Sequence, residues 1–138
     1  MNNKNITINE IKLKEIKMNE YEKLQKEILA FLKDFLRDKT ILRPPRINED
    51  TITAEIIEQN NIVTIEITIG EFMTDIELES YLGANNENYE NISIQTRIIN
   101  IPNDDMQSLK IIKALRQVYP KFEKIITQAK QILEEQNA

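Results

Sequence analysis

Residues 62–69, with the sequence I-V-T-I-E-I-T-I, constrain the fold more than any other stretch of this chain. From Val63 onwards apolar and polar residues alternate strictly, which is the pattern of a strand with one buried and one wet face. The inward set is Val63, Ile65, Ile67 and Ile69, and the outward set is Thr64, Glu66 and Thr68. A lone strand of this kind is unstable in water, so the flanking sequence must supply a sheet.

Three neighbouring stretches have a similar alternation and predict further strands, at residues 51–58, 72–82 and 92–101. Between the first of these and the central run, Asn60-Asn61 offers the positive backbone angles that a tight hairpin turn requires. A polar, asparagine-rich loop, residues 83–91, separates the last two strands. Four consecutive strands of this kind predict an antiparallel meander.

The N-terminal part predicts a strand, a helix and a turn. Apolar residues in the segment 6–18 scatter around a helical wheel, so we expect an irregular strand there. Asn19 and Glu22 are spaced as a capping pair for a helix over residues 20–39, whose apolar side chains gather on one stripe. Arg43-Pro44-Pro45-Arg46 cannot continue a helix and predicts a turn.

A second helix is predicted after the strands. Asn103, Asp104 and Asp105 are good N-terminal capping residues, and from Leu109 onwards apolar residues recur every three or four positions. Pro120 interrupts the hydrogen bonding without breaking that phase, which predicts a kinked helix or two helices meeting there.

Together these elements predict a single α+β domain over residues 1–138. The expected architecture is a four-stranded antiparallel meander, to which an N-terminal strand can add. One face of this sheet is covered by an N-terminal helix and a long, proline-kinked C-terminal helix. A chain of 138 residues is long enough to bury one sizeable core.

The residue types that are absent exclude most chemistry. The chain has no Cys, His or Trp, which rules out disulfides, thiol catalysis and the usual zinc and haem ligands. Its few serines have no histidine to activate them, and two isolated glycines, Gly70 and Gly83, make no phosphate-binding loop. We therefore expect no enzyme, no cofactor and no metal site. No apolar run is long enough to span a membrane, so we expect a cytoplasmic protein.

Charge is distributed unevenly along the chain. Residues 1–46 carry 11 Lys or Arg and 7 Asp or Glu, residues 47–105 carry 1 and 13, and residues 106–138 carry 6 and 3. Because the apolar sides of sheet and helices must pack together, the molecule should have an acidic sheet face and more basic helix faces. Only Arg97 is expected to offset the acids on the sheet side. The predicted interaction residues on that face are Glu55, Glu66, Met73, Asp75, Glu77, Glu79 and Tyr81.

These features favour a protein-interaction module, such as an inhibitor, adaptor or chaperone, that offers an acidic face to a basic protein partner and self-associates as a homodimer. One alternative is nucleic-acid binding through a basic face. Its residues would be Lys23, Lys26, Lys33, Arg37, Arg43, Arg46, Lys110 and Lys113. Another alternative is a small ligand held between sheet and helices. The excess of isoleucine over valine indicates AT-rich coding, as in many bacterial and phage genomes.

Overall fold

A computed structural model describes residues 8–82, 92–104 and 107–136 of the chain, with side chains described for residues 20–82, 93–104 and 107–135. It contains two helices and five strands: α1 (Ile8–Phe35), β1 (Thr40–Asn48), β2 (Thr51–Glu58), β3 (Asn61–Ile69), β4 (Met73–Leu82), β5 (Ile92–Pro102) and α2 (Gln107–Gln136). The strands form one antiparallel sheet in the order β1-β2-β3-β4-β5. This confirms the predicted α+β meander and adds a fifth strand to it.

The predicted N-terminal strand is wrong. Residues 8–18 form the first turns of α1, and Asn19 and Glu22 lie inside that helix instead of capping it. The segment has no glycine or proline and is rich in Lys and Glu, which are good helix formers. Its helix propensity therefore sustains a helix although its apolar residues share no single stripe. Ile6 and Thr7, which were assigned to the same strand, lie outside the described residues.

The fifth strand is β1, which contains the Arg43-Pro44-Pro45-Arg46 segment that was predicted to be a turn. Proline cannot donate to a neighbouring strand, so it is tolerated only on an edge strand or at an irregularity. Both conditions hold here: β1 lies at the edge of the sheet, and its pairing with β2 shifts register between Ile41 and Arg43 and again between Arg43 and Arg46.

The hairpin between β2 and β3 turns one residue earlier than predicted. Glu58 pairs with Asn61, and the two loop residues are Gln59 and Asn60, with φ of 52° and 66°. A two-residue loop with positive φ at both positions matches the twist of the flanking strands. The register therefore keeps Val63, Ile65 and Ile67 pointing inward, as the alternation requires.

The hydrophobic core lies between the inner face of the sheet and the two helices. Its fully buried members include Leu32 of α1 and Leu36 just after it, Ile52 and Ile56 of β2, Ile65 and Ile67 of β3, Leu78 of β4, and Leu115, Phe122 and Ile126 of α2. The long C-terminal helix is confirmed, and α2 continues as one helix across Pro120. Its apolar stripe meets β4 and β5, while α1 lies beside it over β1.

The start of α2 is fixed to the turn between β3 and β4. The Asn103 side chain, predicted to cap the helix, donates to the Gly70 carbonyl at 2.8 Å and accepts from the Thr74 hydroxyl at 2.7 Å. Gln107 donates to both Thr74 and Asn103. The backbone carbonyl of Asp104 accepts the Gln107 N–H at 3.0 Å, and Asp105 lies outside the described residues. Asn103 therefore joins the start of α2 to the turn between β3 and β4.

A buried tyrosine joins the two helices to the sheet. The Tyr119 ring packs edge-on against Phe35, with ring centroids 5.7 Å apart, and the Lys39 ammonium lies 4.5 Å above its face. Its hydroxyl donates to the Glu58 carboxylate at 2.8 Å. Burial, followed by this contact with Glu58, raises the pKa of Tyr119 well above its ordinary value of 10.0.

This tyrosine makes the fold sensitive to alkali. Below pH 10 Tyr119 keeps its proton in both the folded and the unfolded chain; above pH 10 only the unfolded chain loses it. We expect this group to lower the free energy of unfolding by about 1.4 kcal/mol per pH unit above pH 10. In urea titrations above pH 10, the free energy of unfolding of Tyr119→Phe should fall less steeply with pH than that of the wild type. At neutral pH, where Tyr119 is protonated in both states, the two proteins should show the same pH dependence, and an equal loss above pH 10 in Tyr119→Phe would contradict the assignment.

Candidate interaction face

The outer face of the sheet is open to solvent in the part of the chain that the structure describes, because both helices pack against the inner face. Every residue of the predicted interaction set lies on this outer face, in the positions that alternate with the buried ones: Glu55, Glu66, Met73, Asp75, Glu77, Glu79 and Tyr81. The strict period of two placed these side chains correctly without any knowledge of the strand order.

Four carboxylates run together along the two middle strands, and we call them the acidic stripe: Glu66 of β3, with Asp75, Glu77 and Glu79 of β4. Glu66 pairs directly with Glu77 across the strands, which places like charges opposite each other. Arg97 of β5 lies beside them, with its Nε 3.1 Å from Glu77 Oε2. In the part of the chain that the structure describes, Arg97 is therefore the one cationic side chain paired with the stripe, and it pairs with Glu77.

Asp75 is fixed by an irregularity in β5. The pairing of β4 with β5 shifts register between Thr74 and Ile76, and Asn100 there has a φ of 62°. The Asn100 N–H donates to the Asp75 carboxylate at 3.0 Å. This bulge orients the carboxylate at one end of the acidic stripe.

At the other end of the stripe, Glu79 is held as an anion. Hydrogen bonds from Tyr81 and then from Gln95, whose Nε2 lies 2.9 Å from Glu79 Oε2, lower the pKa of Glu79. The same contact with Glu79 raises the pKa of Tyr81. At neutral pH Glu79 therefore stays charged and Tyr81 stays protonated. Both are suited to binding a cation or a donor group rather than to transferring a proton.

The expectation that only Arg97 offsets the acids on the sheet side is wrong. Arg43 and Arg46 of β1 lie on the same outer face, with guanidinium nitrogens 3.7 and 3.8 Å from Glu55 Oε1. They are there because their segment is a strand paired with β2 and not a turn beside the helices. The outer face is therefore acidic along its middle and carries basic groups toward both edges.

Exposed apolar side chains surround the acidic stripe. Met73 and Tyr81, both in the predicted set, are joined by Ile57, Ile62 and Ile99. Ile62 and Ile99 are exposed over half or more of their surface, at 51% and 59%. The prediction missed these two, although their position next to the inward-facing Val63 and Ile98 is a usable signal. Ile99 also lines a shallow depression of about 210 Å³ together with Glu66, Thr68, Asp75, Glu77 and Arg97.

The alternative basic face does not form a single surface. The helices carry the exposed residues Lys23, Lys26, Lys33, Lys110 and Lys113, and Arg37 is exposed in the turn after α1. The helices lie on the opposite side of the sheet from Arg43 and Arg46. Arg37 pairs with Asp34, and Lys110 pairs with Asp104. The predicted basic set is therefore split between two sides of the molecule, and two of its members on the helix side have acidic neighbours.

The space between sheet and helices, expected to hold any small ligand, is filled by core side chains such as Ile65, Leu115 and Phe122, all with no exposed surface. A solvent-open depression of about 710 Å³ lies instead between α1, the start of α2 and the turn after β3, where Phe72 is 72% exposed. Among the described residues, no group of three or more acidic, histidine or cysteine side chains is arranged to hold a metal ion.

Comparison with models of protein families, with curated proteins and with solved structures found no match to this chain. Neither described helix has the length and apolar character needed to cross a membrane. The geometry of the outer face is therefore what a proposal about function can be built on.

Proposed function

We propose that this protein is a non-enzymatic interaction module, of the inhibitor, adaptor or chaperone type, that presents the acidic stripe to a basic segment of a protein partner. The observation that carries the proposal is the uncovered sheet face on which Glu66, Asp75, Glu77 and Glu79 lie together. A row of carboxylates with so few cations beside it is costly to keep in the isolated molecule, because like charges face each other across the strands. A basic partner would relieve that repulsion.

The pattern on this face also specifies the partner. A negative middle with Arg43, Arg46 and Arg97 toward the edges favours a segment that is basic in its centre and neutral or acidic at its ends. Charge complementarity of this kind mainly speeds association and rejects wrong partners. The apolar side chains of Met73 and Tyr81 would supply the anchors that slow dissociation.

We further propose that the module works in the cytoplasm, with which the absence of cysteine is compatible, and that it acts as a homodimer. Nucleic-acid binding through the helix lysines is the competing function. It is favoured only by the exposure of Lys23, Lys26 and Lys33.

Charge reversal on the stripe tests the proposal. A labelled peptide that alternates lysine and leucine should bind the wild type at low salt, and its affinity should fall as salt is added. Glu66→Lys with Glu79→Lys should weaken binding roughly tenfold, because each exposed pair contributes roughly 0.5–1 kcal/mol. Fluorescence anisotropy measures the affinity, and circular dichroism checks the fold.

The matched control places the same two reversals on the helices, at the exposed residues Glu22 and Glu135. This variant changes the net charge equally, so the proposal expects it to bind the peptide nearly as well as the wild type. Equal weakening by both variants would mean that only net charge matters, and the proposal would fail. Retardation of DNA at low salt that is lost on Lys23→Glu with Lys26→Glu would assign the competing function instead.

A further inference from the structure

The chain itself contains a segment of the kind that the acidic stripe favours. Residues 40–50, T-I-L-R-P-P-R-I-N-E-D, are basic in the centre at Arg43 and Arg46 and acidic at the end. In β1 these two arginines lie on the outer face of the sheet, with side chains 65% and 45% exposed. Within the described part of the chain both pair with the one carboxylate of Glu55, so each guanidinium group has donors to spare for a further carboxylate.

The arginines of β1 and the glutamates of β4 lie at the same levels of the sheet. The outer positions form rows across the strands, and two of these rows run from an arginine to a glutamate. The members of the rows are Arg43, Glu55, Thr64 and Glu79, and next to them Arg46, Thr53, Glu66 and Glu77. Because neighbouring strands are about 4.8 Å apart, roughly 14 Å separates β1 from β4. The β4 carboxylates are therefore reached from above the face, by another molecule, and not along it.

We infer, on the basis of the function proposed above, that the acidic stripe binds β1 of a second copy of the chain, with the outer faces of the two sheets packed together. The two-fold axis runs parallel to the strands, between β2 and β3. It places β1 of each copy over β4 of the other and keeps every row at its own level. Arg43 then meets Glu79 of the second copy, and Arg46 meets Glu77.

Charge selects this axis among those that run parallel to the strands. An axis over β3 would place Arg46 against Arg97 of the second copy. An axis between β3 and β4 would place Glu66 against Glu77, and an axis over β2 would place Glu55 against its own counterpart. With the axis between β2 and β3, the remaining acids of β2, β3 and β4 meet neutral polar side chains, in the pairs Glu55–Thr64, Glu66–Thr53 and Asp75–Asn48.

The contact also has the apolar groups and the area that a dimer needs. Ile57 meets Ile62 of the second copy on both sides of the axis, and these side chains are 37% and 51% exposed in the single copy. Four strands of at least eight residues, about 4.8 Å apart and about 27 Å long, give a contact of roughly 500 Å² in projection on each copy. The total of about 1,000 Å², before the relief of the side chains is counted, reaches the size of a specific interface.

The ion pairs lie at the two flanks of this contact, because β1 and β4 are its outermost strands. Water reaches the charged groups there, so the pairs cost little to desolvate and mainly fix the register of the two sheets. Face-to-face sheets keep their strand directions within about 30° of each other, which an axis parallel to the strands satisfies.

Sedimentation tests the dimer. At low salt the wild type should sediment at twice its 16.2 kDa mass, and added salt should weaken the dimer. Arg43→Glu turns an attractive pair into a repulsive one on each side of the axis, and should weaken the dimer about tenfold or more with an unchanged circular dichroism spectrum. Lys33→Glu, at an exposed position of α1, makes the same change in net charge and should dimerise as the wild type does. A monomeric wild type, or equal weakening by both variants, would overturn the inference.

Exchange of charges tests the axis. Glu79→Arg alone should also weaken the dimer, because Arg43 then meets a positive charge. An equal mixture of Arg43→Glu and Glu79→Arg should form dimers again, since each contact of that row once more joins a glutamate to an arginine. A mixture of Arg46→Glu and Glu79→Arg changes two different rows and should stay monomeric. Failure of the matched mixture to dimerise, or equal dimerisation of both mixtures, would overturn the axis.

Peptide binding distinguishes the second copy from a separate basic partner. The second copy and the lysine–leucine peptide compete for the acidic stripe, so the monomeric Arg43→Glu variant should bind the peptide more tightly than the dimeric Lys33→Glu variant. Peptide binding by a wild type that stays monomeric would keep the proposed function and overturn the second copy as the partner. A wild-type dimer that Arg43→Glu dissociates, with no peptide bound by the resulting monomer, would support the dimer and reject the separate partner.

Discussion

Phe122→Ala should lower the free energy of unfolding by about 3–5 kcal/mol, a large share of the stability of a domain of this size. Phe122 has no exposed surface and lies in the middle of α2, where the helix stripe meets the inner face of the sheet. Removing its ring leaves a cavity between Leu115 and Ile126, which flank it on the same stripe and are equally buried. Urea unfolding followed by circular dichroism measures the change.

The control for this substitution is Leu109→Ala in the same helix. Leu109 is 55% exposed, so its truncation removes little buried surface and should cost well under about 1 kcal/mol. If Phe122→Ala cost no more than Leu109→Ala, the stripe of α2 could not be the side that packs on the sheet. The face assignments of the strands would then also need revision.

The parts of the fold that sequence predicts well are those with a clear period. Strands β2 to β5 follow from alternation, and the acids Glu66, Asp75, Glu77 and Glu79 fall on the outer face because a period of two leaves no other choice. The prediction places the hairpin turn one residue too late, because Gln59, Asn60 and Asn61 all tolerate a turn. Only the pairing of Glu58 with Asn61 fixes the loop at Gln59-Asn60.

The parts that sequence predicts poorly depend on contacts between distant residues or on propensity without a pattern. The first turns of α1 have helix-forming residues but no single apolar stripe, so periodicity favours the wrong element. Arg43 and Arg46 look like loop residues until β1 pairs with β2 and brings them beside Glu55. Proline is a reliable signal against a central strand, but it does not distinguish a turn from an edge strand.

This second error matters for function. The sequence prediction places Arg43 and Arg46 on the helix side, which makes the sheet face almost uniformly acidic. Any cation would then be a candidate partner. With both arginines beside Glu55, the acidic stripe is confined to β3 and β4. The same prolines and arginines also hinder pairing of the β1 edge with another strand. One irregular strand therefore confines the acidic stripe and protects one edge of the sheet.

Pro120→Ala should raise the free energy of unfolding by about 1–3 kcal/mol. Pro120 is exposed within α2, which continues as a helix on both sides of it. A proline there offers no N–H to the carbonyl of Arg116, its ring crowds that carbonyl, and its helix propensity is about 3 kcal/mol worse than that of alanine. Urea unfolding of the single variant measures the gain, with Lys124→Ala, at a nearby exposed position, as the control.

The opposite result would be equally informative. Tyr119, directly before the proline, reaches Glu58 with a hydroxyl-to-carboxylate distance of 2.8 Å, and Phe122 fills the core two residues later. Both contacts depend on the path of α2 through this point, because a residue before proline is restricted in its backbone angles. If Pro120→Ala lowered stability instead, that path would require the proline. Double-variant unfolding with Tyr119→Phe would then show coupling between the two positions, whereas additive effects would confirm that proline only weakens the helix.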